Sequence, residues 1–259
     1  MAEVDVRETF KGGIGLVLGV FLATACPAIA EQAAQQTSDA DDAGRQAALC
    51  VTPGDWQAAI AACTWIIQSG RVSGPNLANA YTARAVAYEN AGDMANAVRD
   101  EEEAIELTPD NELAYEERGY IYGLMGQYSR AIPDLDHAIM LEPNNWRALQ
   151  KRCLMRAEWG KDLELALADC SKAIEISPTV TSIFCSRGLV YLRLGKYQEA
   201  IEGCDTALSQ GHPLAFLLYT RGLAKLKAGN ADGGNADLAQ ASALDSAVAG
   251  RFAGYGLTP

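Results

Sequence analysis

The chain has 259 residues, a formal net charge of -12 and a pI near 4.6. Acidity of that size excludes nucleic acid and anionic membrane surfaces as partners, because both require a basic face. Abundant alanine with few aromatic residues is the composition of a soluble helical protein.

In chain order, the first feature is an apolar run, Ile14 to Ala25, preceded by Arg7 and Lys11 and followed by Ala28-Ile29-Ala30. A fixed transmembrane helix needs about 20 residues, so the shorter run has the form of an export signal cleaved after Ala30. Glu3, Asp5 and Glu8 offset the basic residues, which leaves a later true start as an alternative. The expectation is a periplasmic or secreted mature chain, not membrane-spanning after cleavage, with anchoring by an uncleaved segment or through Cys26 as the alternatives. Residues 31–41 read as a disordered linker.

Residues 42–77 read as a partial helical hairpin. Asp42 to Cys50 is the candidate first helix; Asp55 to Ser69 is the second, with Trp56, Ala59, Cys63 and Ile66 in phase. From there a clock sets in. Arg84, Arg118, Arg152, Arg187 and Arg221 recur at intervals of 34, 34, 35 and 34. A period of that length means stacked supersecondary units, each completing its neighbour's core. Gly92, Gly126, Gly160, Gly195 and Gly229 mark one turn per period, and Ala97, Ala131, Ala166 and Ala200 one helix contact. The glycine series takes its 35-residue step after Gly160 and the alanine series before Ala166, so one extra residue lies within Lys161 to Leu165. The full units run at about 78–111, 112–145, 146–180, 181–214 and 215–245.

The unit from Glu112 to Asn145 shows what each contains. Tyr115, Gly119 and Tyr122 fall on one helix face, Ala131, Leu135 and Ala138 on another, and Pro143 closes the unit. Gly234 stands where the last unit would carry alanine, which makes Gly233-Gly234 read as a lesion in a terminal copy. Beyond it, 246–259 reads as a short capping helix started by Ser246, carrying Val248, Phe252 and Tyr255, and stopped by Gly256.

This pattern resembles the tetratricopeptide repeat. It reads through Tyr81, Ala85, Tyr88 and Pro109 in one copy and Phe184, Gly188, Tyr191 and Ala207 in another, with Cys153 in a small-residue position and Pro213 shifted by one. The resemblance implies an all-α fold, a right-handed superhelical solenoid of helix-turn-helix hairpins whose first helices line a concave, partner-binding groove. Carried over residue by residue, that groove comprises Asn79, Thr82, Val86, Glu116, Tyr120, Arg147, Gln150, Leu154, Ser182, Leu189, Phe216, Tyr219 and Leu223. It is expected to change from acidic near Glu116 and Glu117, through basic near Arg147 and Lys151, to apolar toward Tyr219, unless the terminal helix takes the apolar residues. The Lys and Asn set that clamps a terminal carboxylate in some members is absent. The segments IAACTWII and LYTRGLAKLKAGNADGG also resemble a group of secreted repeat proteins of Gram-negative bacteria.

Cys50 and Cys63, Cys153 and Cys170, and Cys185 and Cys204 fall in three pairs within predicted hairpins. Bridging them would close loops worth about 3 kcal/mol each. A Cys170 to Cys185 link, or free thiols that simply fill helix contacts, are the alternatives.

No chemistry is written into the chain. His137 and His212 stand in different units, no Cys-x-x-Cys occurs, and Gly195-Lys196 is a repeat turn with the wrong spacing for a phosphate loop. We therefore expect no catalytic site, cofactor or metal. Asp100, Asp134, Asp169 and Asp237 track the recurrent arginines and predict a structural ion-pair ladder; Gly203 breaks it, leaving Arg187 to find another partner. The functional expectation is a non-catalytic scaffold for a protein or peptide partner, with a self-assembling homo-oligomeric module as the alternative.

Overall fold

The computed structural model describes residues 42–210 and 214–259. The export segment, the linker, Cys26, His212 and Pro213 lie outside them. Residues 44–259 form one unit, and every regular element among the described residues is a helix. Residues 42–50 form α1, followed by α2 (Trp56–Gln68), α3 (Gly74–Asn90), α4 (Met94–Leu107), α5 (Glu112–Leu124), α6 (Tyr128–Leu141) and α7 (Trp146–Trp159). Then come α8 (Leu163–Ile176), α9 (Thr181–Arg193), α10 (Tyr197–Gln210), α11 (Ala215–Lys227), α12 (Ala231–Leu244) and α13 (Val248–Gly254).

The hairpins α3/α4, α5/α6, α7/α8, α9/α10 and α11/α12 are the strongest contacts in the chain, and each second helix also packs on the next first helix. First helices touch first helices, as α3 does α5 and α7 does α9, whereas second helices do not touch one another. The first helices therefore form the more closely spaced inner layer of the stack, the concave side.

Local chemistry draws the boundaries. Gly126 ends α5 at φ +70°, and the Gln127 amide reaches back to the Tyr122 carbonyl at 2.8 Å, a glycine-closed helix end. Asp93, Asn111, Asn145 and Asn230 cap the following helices with their side chains. The extra residue after Gly160 is absorbed where Asp162 takes a left-handed backbone, φ 51°. Ser246 does not cap α13: Ala247 stands at its N-cap without a side-chain cap, and the Asp245 carboxylate accepts from the Ala247 amide at 2.9 Å just ahead of the helix.

Small residues set the interhelix distance. A Cβ on Gly119 would lie 2.9 Å from Leu135 Cγ and 3.0 Å from the Ala131 carbonyl oxygen. Gly234 corrects the sequence reading: α12 runs through Gly233-Gly234 without a break, and a Cβ on Gly234 would meet Gly222 O at 2.9 Å and Leu226 Cγ at 2.6 Å. Two helices meet backbone to backbone there, and alanine would force them apart.

The ladder has forked geometry. Arg84 meets Asp100 at 2.7 and 2.8 Å, and Arg118 meets Asp134 at 2.8 Å through both nitrogens. Arg152 and Arg221 hold Asp169 and Asp237 in the same way. Each arginine leaves a first helix and its aspartate a second helix, so the pairs orient hairpins; their net stabilisation is limited by desolvation.

Cys50 is bonded to Cys63 and Cys153 to Cys170, while Cys185 and Cys204 are separate buried thiols. The expected third bridge is thus not formed. Cys153 occupies the small-residue position directly across from Cys170. In α9 that position is Gly188, and Cys204 Sγ points at it, 3.0 Å from where a Cβ would stand. Cys185 sits one turn earlier.

Candidate functional site

The repeat register lines up residues on the inner layer. One row runs Thr82, Glu116, Gln150, Cys185, Tyr219, and the next Val86, Tyr120, Leu154, Leu189, Leu223. These rows are not uniformly open. Thr82, Glu116, Leu189, Tyr219 and Leu223 are each at most 4% exposed, a correction to the expected groove. The Thr82 hydroxyl donates to Glu101 at 2.9 Å, and Glu116 accepts from Asn145 at 2.7 Å and from Lys151 at 2.8 Å. Leu189 and Leu223 belong to the main apolar cluster, and Tyr219 lies beneath Phe252 of α13, ring centroids 4.6 Å apart.

The C-terminal segment accounts for much of this. Phe252 packs on Phe216 and Tyr219 of α11. Arg193 of α9 donates to the carbonyls of Ala157 and Glu158, at 3.0 and 2.9 Å, and to that of Tyr255. Tyr255 and Tyr128 hydrogen-bond the Glu158 carboxyl, whose burial pushes its pKa up to about 7 against these partners and Arg193. The segment after α12 thus lies along the inner faces of α11, α9 and α7 and occupies the expected apolar end of the groove.

Two cavities bring expected groove residues together. The amino-terminal one, about 470 Å³, brings Asn79, Thr82 and Val86 of α3 together with Val51, Trp56 and Leu113. The central one, about 400 Å³, spans four units: Tyr120 from α5; Gln150, Lys151 and Leu154 from α7; Ser182, Cys185 and Ser186 from α9; Leu214 and Phe216 beside and on α11. Five expected residues, Tyr120, Gln150, Leu154, Ser182 and Phe216, converge there, and Arg147 stays exposed outside it, over the Trp146 ring. Sequence reasoning missed Cys185 and Ser186. Cys185 follows Gln150 in the same row, a signal overridden by its assignment to a disulfide.

The central cavity is apolar with a neutralised edge. Lys151 bonds both Glu116 and Glu117 at 2.8 Å. Burial alone would lower its pKa, but the two carboxylates outweigh that and hold it above the usual lysine range. The basic stretch expected at Lys151 is therefore spent inside the protein. Gln150 donates to Ser186 at 2.8 Å, and burial pushes the Cys185 thiol up to about 12, which favours the protonated thiol over the thiolate. Among the described residues no cluster of three His, Cys, Asp or Glu could hold a metal, and no helix is long and apolar enough to cross a membrane. His137 packs on Tyr115, ring centroids 4.1 Å apart.

The family pattern described as Tetratricopeptide repeat matches residues 78–111, 113–145 and 181–209. The chain carries tetratricopeptide repeats. Solved tetratricopeptide structures share the fold. PilW, a type IV pilus biogenesis factor, superposes with a TM-score of 0.63 at 20% identity, over 73% of this chain and 86% of its own. TTC0263 of Thermus thermophilus gives 0.59 at 19%, over 70% and 100%. YrrB, described as having an unusual peptide-binding site, gives 0.51 at 18%, over 71% and 92%. Among curated relatives, the Hsp70-Hsp90 organizing protein of Triticum aestivum is 37% identical over 67 residues, 25% of this chain and 12% of that protein. Hsp70-Hsp90 organizing protein 1 of Arabidopsis thaliana is 44% identical over 54 residues, 21% and 9%. The match therefore spans about a tenth of the length of these relatives.

Proposed function

We propose that this tetratricopeptide chain is an exported, non-catalytic scaffold that takes an extended peptide or protein segment in its central concave cavity. The observation that carries the reading is convergence: first helices of successive units place Tyr120, Leu154 and Phe216 around one space of about 400 Å³, with Ser182 at its rim. An extended segment supplies side chains at regular spacing, and a row of helices supplies matching places for them; a peptide-binding site in YrrB supports this use of the fold. The bonded pairs Cys50–Cys63 and Cys153–Cys170, with the amino-terminal apolar run, support an oxidising compartment.

Affinity capture from a periplasmic fraction, with the mature chain as bait, tests the reading. Ser182→Arg and Tyr120→Ala should each weaken capture at least tenfold; the thermal midpoint should hardly move for exposed Ser182 and fall by the equivalent of about 1–2 kcal/mol for half-buried Tyr120. Capture that survives both changes would rule out the central cavity. A bait that recovers only itself would replace this reading with self-assembly.

A further inference from the structure

Four of the five ladder arginines hold an aspartate; Arg187 does not. The residue in register with Asp100, Asp134, Asp169 and Asp237 is Gly203, and a Cβ built on it would find no atom within 4 Å. The space that an aspartate side chain takes in the other units is therefore open here. Nearby acids are committed elsewhere: Asp205 pairs with Arg221 and Glu202 accepts from Gln198. The preceding second helix gives no substitute. Arg152 and Arg221 reach back to Asp136 and Asp205, whereas the residue in that register before Arg187 is Ser171, whose hydroxyl donates to Leu167 O at 2.8 Å.

Arg187 is nonetheless held as its counterparts are. Its guanidinium stands over Phe184 and Tyr191, 5.4 and 5.9 Å from the ring centroids, much as Arg84 stands over Tyr81 and Tyr88 at 5.5 and 5.8 Å. Its Nε is buried and has no hydrogen-bond partner among the described residues. Elsewhere in the ladder that atom donates to the aspartate at 2.7–2.8 Å. A buried, charged donor without an acceptor is costly, and a carboxylate is the acceptor whose two oxygens match the guanidinium fork.

We propose that the space between Arg187 and Gly203 is a binding site for one small carboxylate. An aspartate side chain beyond Cα is a methylene carboxylate, so acetate is the missing group with one added hydrogen. The same chemistry is offered by a free small acid, by a partner's aspartate side chain, or by a chain terminus. The site is separate from the central cavity: Arg187 and Gly203 line neither open space described above.

The test is thermal unfolding of the full chain at pH 7 in sodium acetate against sodium chloride of equal ionic strength. At acetate well above its dissociation constant the wild type should gain roughly 3–5 °C over chloride. Arg187→Gln and Gly203→Asp should both lose that response, the first by removing the fork and the second by filling the space. Gly203→Asp should also melt several degrees above Gly203→Asn, and that margin should vanish in the Arg187→Gln background. An acetate effect equal in all variants, or an aspartate no better than the asparagine, would overturn the site. N-acetylglycine and N-acetylaspartate amide, each compared with its carboxamide, separate the sources: a response to the first indicates a chain terminus, to the second a side chain, and to acetate alone a free acid.

Discussion

Phe252 and Tyr219 stack at 4.6 Å, tilted 41° to each other, so a residue of the last helix closes over one expected to face a ligand. Phe252 is 0% exposed. Phe252→Ala is expected to cost about 3–5 kcal/mol, read by urea denaturation, and to open Tyr219 and Phe216 to solvent. Leu154→Ala, at the half-buried edge of the central cavity, should cost only about 1–2 kcal/mol. Equal costs would mean that α13 is not integral to the stack.

Gly119 offers the sharpest packing test. With Leu135 Cγ and Ala131 O at 2.9 and 3.0 Å from its missing Cβ, Gly119→Ala should destabilise by about 1–3 kcal/mol despite alanine's better helix propensity. A gain in thermal midpoint would show that α5 and α6 separate without loss.

Two buried carboxyls make stability fall as pH rises. Glu101 occupies the core position that is Leu135 in α6 and Leu238 in α12; it is 0% exposed, with one oxygen unpartnered. Burial holds its pKa well above the usual carboxylate value, and burial likewise raises Glu158 to about 7. For an acid whose folded pKa exceeds its unfolded value near 4.3, the favourable contribution is complete below that value and is lost as pH climbs through the folded one. For Glu158 this amounts to roughly 3 kcal/mol between about pH 4 and 7. Glu101→Gln and Glu158→Gln should each flatten the decline in thermal midpoint between pH 5 and 8. A slope unchanged in both would mean that neither carboxyl holds its proton in the folded state.

The thiols give a countable outcome. Alkylation of the mature, oxidised chain in denaturant without reductant should label Cys185 and Cys204 and spare Cys50, Cys63, Cys153 and Cys170. A peptide linking Cys185 to Cys204 would restore the third bridge read from the spacing.

Much of this was decided along the chain. The recurrent Arg, Gly and Ala series determined the helical hairpins, their turns, the extra residue after Gly160 and the ladder partners, because a helix pair repeats its contacts whenever it repeats its register. The break at Gly203 was legible for the same reason. What the tertiary structure alone decided is where contacts depend on direction or on another unit. Whether two cysteines one turn out of line can meet, as Cys185 and Cys204 do not, depends on where each Sγ points. Which residues of the inner rows remain open depends on the path of the tail after α12, and no local pattern encodes that Tyr255 reaches Glu158 and Arg193, 97 and 62 residues back. Lys151 shows the same limit: its charge is in the sequence, but its capture by Glu116 and Glu117 exists only once neighbouring first helices are stacked.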